Sequence, residues 1–135
     1  MRIGILADIH GHVENLRKAI RRLEREQVEQ FVVLGDVIYE RGHAAETVDL
    51  LKDVGAVGVG GNHELGLCIN PSDELRERYT QPVVDFFGTL APQYERGELL
   101  FSHTLPDQDA SDPLSYYLGP GPDDAGALNA CFVRF

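Results

Sequence analysis

Three short apolar runs, "RIGILA" (2–7), "FVVLG" (31–35) and "AVGVG" (56–60), alternate with two stretches of helical periodicity, and this constrains the fold more than any other feature. Each run is bounded by Gly or Asp and is short, so each reads as a buried strand. Between the first two, Val13, Leu16, Ile20 and Leu23 recur at helical spacing and form one face of an amphipathic helix. Arg17, Lys18, Arg21, Arg22 and Glu24 fall outside that face and read as a solvated surface. Between the second and third runs, Ala44, Ala45, Val48, Leu51 and Val54 mark another helix, stopped by Gly55. A β-α-β-α-β order implies parallel strands joined by right-handed crossovers.

The pattern changes after Glu64. Residues 72–79 and 81–91 are predicted to be helical, with Pro82 tolerated in a first turn. "ELLFS" (98–102) reads as a fourth strand and "ACFVRF" (130–135) as a last one. Between them, residues 104–124 carry four prolines, two glycines and five aspartates, which predicts a long irregular loop of functional or disordered character. The 135 residues suit a single domain, 1–135.

The polar residues fall where such a fold would use them. Asp8 and His10 follow the first strand, Asp36 the second, Asn62 and His63 the third, and His103 the fourth. The carboxyl ends of parallel strands line one crevice, where ligands bind. Gly58, Gly60 and Gly61 remove side chains just before Asn62 and His63, which clears room for a cluster. Mixed carboxylate, amide and imidazole donors suit Mn, Fe, Zn or Ni better than Ca or Mg. Asp36 has two oxygens and can bridge two cations; an imidazole cannot. A neutral Asn62 oxygen would leave positive charge for an anionic substrate. The helix starting near Val13 turns its N-terminus, with free N–H groups, toward the same region.

Composition narrows the partners. A formal net charge of −10 argues against nucleic acid, whose phosphates need a basic surface. No apolar stretch approaches the ~20 residues that span a bilayer. The first apolar run breaks at Asp8, too early for a secretory segment. Cys68 and Cys131 form no CxxC and no disulfide framework, so a cytoplasmic setting is expected.

"DIHG" (8–11), "GDVIYERG" (35–42), "GNHE" (61–64) and "FSHT" (101–104) together resemble the ordered motifs of the calcineurin-like metallophosphoesterase superfamily, most of all its compact bacterial and archaeal phosphodiesterase branch. The resemblance implies an α/β fold, a four-layer β-sandwich flanked by helices, with a dinuclear metal centre at the strand ends. It implies that Asp8 and His10 bind one divalent ion, that Asp36 bridges both, and that Asn62 and His103 bind the second. His63 would act as general acid or transition-state donor, and Glu64 would support the ligands from behind. The implied reaction is hydrolysis of a phosphodiester or phosphomonoester, by in-line attack of a metal-bridging hydroxide on a small phosphorylated substrate. Two ions ~3.5–4 Å apart can clamp the attacking and leaving oxygens.

Around this set, His12 reads as a helix cap or rim contact and His43 as an exposed residue opening the second helix. Arg41 reads as a phosphate contact or a solvated loop arginine. Tyr116 and Tyr117 read as a substrate lid or as local packing. The family normally closes with Gly-His-x-His, one histidine to each metal, and no histidine follows His103. The expectation is therefore a truncated domain, incomplete at its C-terminus, or a divergent member with weak metal occupancy and poor turnover. The alternative is a non-catalytic relative that keeps the fold as a protein-interaction scaffold; His63, an acid without use in a scaffold, favours the enzyme.

Overall fold

A computed structural model describes residues 1–39, 42–117 and 119–132. The three apolar runs form strands β1 (Ile3–Leu6), β2 (Gln30–Leu34) and β3 (Val57–Val59), in the order β1-β2-β3. Both pairings are parallel, with Leu6 opposite Val33 and Leu34 opposite Val59. Helices α1 (Val13–Arg25) and α2 (Ala44–Asp53) make the crossovers. Val13, Leu16 and Ile20 of α1 and Ala44, Val48 and Leu51 of α2 are buried, as their spacing requires, whereas Ala45 is exposed. The central strand is covered on both faces, with Val32 and Val33 fully buried. Strand β1 is buried on one face only: Ile5 is 52% exposed, as an edge strand permits.

After β3 come three short helices, α3 (Leu65–Cys68), α4 (Asp73–Arg78) and α5 (Gln81–Phe87). Pro82 lies in the first turn of α5, where the missing N–H costs nothing. Its Val83, Val84, Phe86 and Phe87 complete the core against α2 and α3.

The fourth predicted strand is present as β5 (Leu99–Ser102), but it is not part of the parallel sheet. It pairs antiparallel with β4 (Gln93–Arg96), a polar strand that periodicity did not reveal. Gly97, at φ +60°, opens the two-residue turn between them, in the place glycine takes in hairpins. The hairpin is joined to the parallel sheet through Ala91, whose N–H donates to Gly58 O (3.1 Å) while its carbonyl accepts from Gly60 N (3.3 Å).

The predicted last strand is a correction. Residues 125–132 form helix α6 (Ala125–Phe132). Asp124 caps it, its carboxylate accepting from Ala127 N at 2.9 Å. An apolar run this short is equally compatible with helix, and the capping aspartate decides. Residues 133–135 of that expectation lie outside the described residues, as does Arg41.

Candidate metal centre

The three parallel strands end in turns that project polar side chains into one place. Asp8 (φ +50°), His10 (φ +47°) and Asp36 (φ +51°) all sit in the left-handed backbone region, as does Gly11 at +70° and Gly35 at +84°. The turns are interlocked: Asp8 N donates to Gly35 O, His10 N to Asp36 O and Gly11 N to Val37 O. Thus a ladder of backbone bonds holds the loop after β1 against the loop after β2.

Asp36 is the hub. Its side chain is 9% exposed, and three imidazoles surround it. His10 Nε2 lies 3.9 Å and His63 Nε2 3.8 Å from Oδ2, and His103 Nε2 lies 3.6 Å from Oδ1. Asp8, two-thirds exposed, stands 3.9 Å from the same His10 nitrogen. Ligating atoms of His10, Asp36 and His63 fall within 4.8 Å of one another. His103 reaches this cluster from the antiparallel hairpin rather than from a fourth parallel strand. Asn62 turns its amide nitrogen to the hydroxyl of Tyr117, 3.3 Å away.

Close approach depends on glycine. A Cβ at Gly61 would overlap the Asp36 amide nitrogen and carboxylate, and one at Gly35 would fall 2.7 Å from His103 Nδ1. Glu64 secures both turns from below. It is 1% exposed, and its carboxylate accepts from Gly61 N at 2.8 Å and Val37 N at 3.2 Å. Burial pushes its pKa up, those N–H donors pull it down, and the nearby Asp36 charge pushes it up again; the net shift is upward. Burial and the Glu64 charge raise the Cys68 thiol to about 12, which removes it as a nucleophile near neutral pH.

The chemistry of the donor set fits cations. None of the four imidazole–carboxylate distances in the cluster is a hydrogen bond. His103 Nδ1 lies 2.5 Å from the Leu34 carbonyl oxygen, an acceptor, so Nδ1 carries the proton. Nε2 is thereby the ring atom left facing the Asp36 carboxylate, in the place from which an imidazole whose Nδ1 proton is held by a carbonyl ligates a metal. His10 Nδ1 is buried without a hydrogen-bond partner among the described residues, so hydrogen bonding does not account for its placement either.

The rim comes from two sides. His12 holds the N-cap position of α1 without making a side-chain cap, and with Asp8 and Asn15 it lines a cavity of about 160 Å³. His43 is exposed and stands 3.7 Å from Glu46. From the 104–124 segment, the Tyr116 ring lies 5.5 Å from His103 and its hydroxyl donates to Ala110 O at 2.9 Å. Burial above all, with the acidic groups Glu64 and Asp36 nearby, lifts Tyr116 to about 12, so it remains a phenol. One neighbour was missed from sequence: Tyr39, whose ring lies 5.3 Å from His63 and 6.0 Å from His10. Its signal was an aromatic three residues past Asp36, inside a motif in which only Asp36 and Arg41 were given roles.

Comparisons with known proteins bear on the family. The model of the calcineurin-like phosphoesterase family matches residues 1–122. An uncharacterized protein of Methanocaldococcus jannaschii is 26% identical over 77 residues, which is 57% of this chain and 32% of that relative. The chain therefore aligns with about a third of that relative's length. No solved structure is significantly similar to the chain. The mixed α/β architecture, with its parallel sheet and flanking helices, accords with the family match, and the chain belongs to the calcineurin-like phosphoesterase family.

Proposed function

We propose that the chain is a metal-dependent phosphoester hydrolase acting on a small phosphodiester or phosphomonoester. The observation that carries this reading is the seating of Asp36 between two imidazoles, with His10 Nε2 3.9 Å from Oδ2 and His103 Nε2 3.6 Å from Oδ1. Asp8, His10 and Asp36 would hold one divalent ion; Asp36, Asn62 and His103 would hold a second. Such ions, of the Mn, Fe, Zn or Ni kind, supply Lewis acidity and make water a nucleophile near neutral pH.

The chain's own residues do the rest. Asp36 sets the spacing of the site with its two oxygens. His63, ringed by Asp36 and His10, holds a proton at Nε2 and gives it to the departing ester oxygen. Glu64 keeps the Gly61 and Val37 amides in place, which fixes the turns carrying Asn62, His63 and Asp36. Among the described residues no helix is long and apolar enough to cross a membrane, and the two thiols are free. Both features suit a reducing cytoplasm.

The test is elemental analysis of the Mn²⁺-loaded chain beside an assay on bis(p-nitrophenyl) phosphate. Asp36→Asn should lose bound metal and more than about 100-fold in turnover, because even supporting residues around a metal cost 10–100-fold. His63→Ala should lower kcat and leave metal content near that of the parent. Undiminished turnover in Asp36→Asn would overturn the reading, and loss of metal in His63→Ala would make His63 a ligand instead of an acid. A parent chain that binds no metal would instead favour the scaffold.

A further inference from the structure

Among the described residues, two exposed large aromatic side chains touch the cluster: Tyr39, 55% exposed, and Tyr117, 76% exposed. A single exposed aromatic on a surface is ordinary. Position makes Tyr39 different. Its chain neighbours Val37 and Ile38 are anchored in the core at 0% and 2% exposure. Its ring stands edge-on to His10 (84°) and tilted against His63 (52°), and those two rings are themselves 4.9 Å apart. Three rings thus hold one another, and the remaining surface of Tyr39 faces solvent at the mouth of the site. An aromatic surface already fixed in position binds without the cost of ordering a mobile side chain.

The chemistry of an occupant follows from reach. His10 Nε2 is 3.9 Å from Asp36, and the Tyr39 ring centroid is 6.0 Å from that of His10. A phosphoryl group held by cations at this cluster would have Tyr39 within reach of the substituent on its ester oxygen. A planar ring there gains offset or edge contact; a short alkyl group gains little. Resting on the phosphoester reading above, we infer that Tyr39 is a binding platform for an aromatic group carried on the substrate's ester oxygen, so that the substrate is an aryl or nucleoside phosphoester.

The test uses non-hydrolysable probes and calorimetry on the Mn²⁺-loaded chain, so it needs no turnover. Phenylphosphonate should bind about tenfold more tightly than methylphosphonate. Tyr39→Ala should bring that ratio to within about twofold, and Tyr39→Phe, which keeps the ring, should retain it. Circular dichroism checks that both variants fold. A nucleoside 5′-phosphonate separates the sources: tighter binding than phenylphosphonate, abolished by Tyr39→Ala, indicates a nucleoside arm, and weaker binding indicates a simple aryl arm. A ratio near one in the parent overturns the platform while leaving the phosphoester site standing. So does a ratio that survives Tyr39→Ala, including the case where both affinities fall together because Tyr39 merely positions the histidines. Failure of every phosphonate to bind would overturn both proposals.

Discussion

Residues 1–68 and residues 104–132 both contribute to the candidate metal centre, yet they are held by different forces. The first region rests on side chains with no exposure at all, Val32, Val33, Val37, Val48, Leu51 and Val59. Among the described residues of the second, only Ala110, Ser115 and Cys131 are buried. Most of its side-chain hydrogen bonds are short-range: Asp109 accepts from Ser111, Asp112 from Leu114, and Ala110 from Tyr116. Close packing transmits a displacement of a few tenths of an ångström, whereas a chain of local turns absorbs it. Ligand geometry should therefore be set by the first region and only trimmed by the second.

The most severe challenge to that contrast is Gly61→Ala. The new methyl group collides with the Asp36 amide and carboxylate, which the interlocked turns prevent from moving away. Unfolding free energy should fall by about 1–3 kcal/mol in urea titration, with metal content falling alongside. A variant as stable and as metal-rich as the parent would show that these turns yield, and the contrast would fail.

Glu64→Gln sharpens the same point through pH. The folded chain holds the Glu64 proton more tightly than the unfolded chain does, since its pKa lies above the usual 4.5. The group therefore favours folding below the unfolded value, and that contribution is lost as pH rises through the raised folded value. With metal removed by chelator, urea midpoints of the parent should decline relative to Glu64→Gln across that window. Parallel curves would mean that the buried carboxylate is not strained by its surroundings.

The smallest effect belongs to the second region. Tyr117→Phe removes one exposed hydrogen bond to Asn62, at 3.3 Å, and should change stability by no more than about 0.5–1 kcal/mol. Metal content should hold. A loss comparable to that of Gly61→Ala would make the loop a structural member of the site.

The same contrast explains what could be read before the structure. Val13, Leu16 and Ile20, or Ala44, Val48 and Leu51, announce their helices because burial of one face leaves a period in the sequence. Asp8, Asp36 and His63 were legible because each follows an apolar strand by a residue or a short turn. Strand β4 was not legible, since Gln93, Tyr94, Glu95 and Arg96 are only partly buried or exposed and carry no alternation. Helix α6 depended on one capping carboxylate, and the placement of His103 depended on a hairpin whose attachment to β3 runs through backbone groups at Ala91. Tyr117 meets Asn62 across 55 residues of chain, a separation that leaves no local trace.

The three left-handed residues at the strand ends set this protein's selection pressures against each other. Asp8, His10 and Asp36 occupy backbone angles that glycine adopts freely and that side-chain-bearing residues enter at a cost of about 1 kcal/mol or more each. Glycine at any of them would relax the main chain and remove a functional group in the same step. A lineage under selection for durability alone would drift toward glycine there and lose the three side chains together. A lineage that keeps Asp, His and Asp at these angles records continued demand for what they hold.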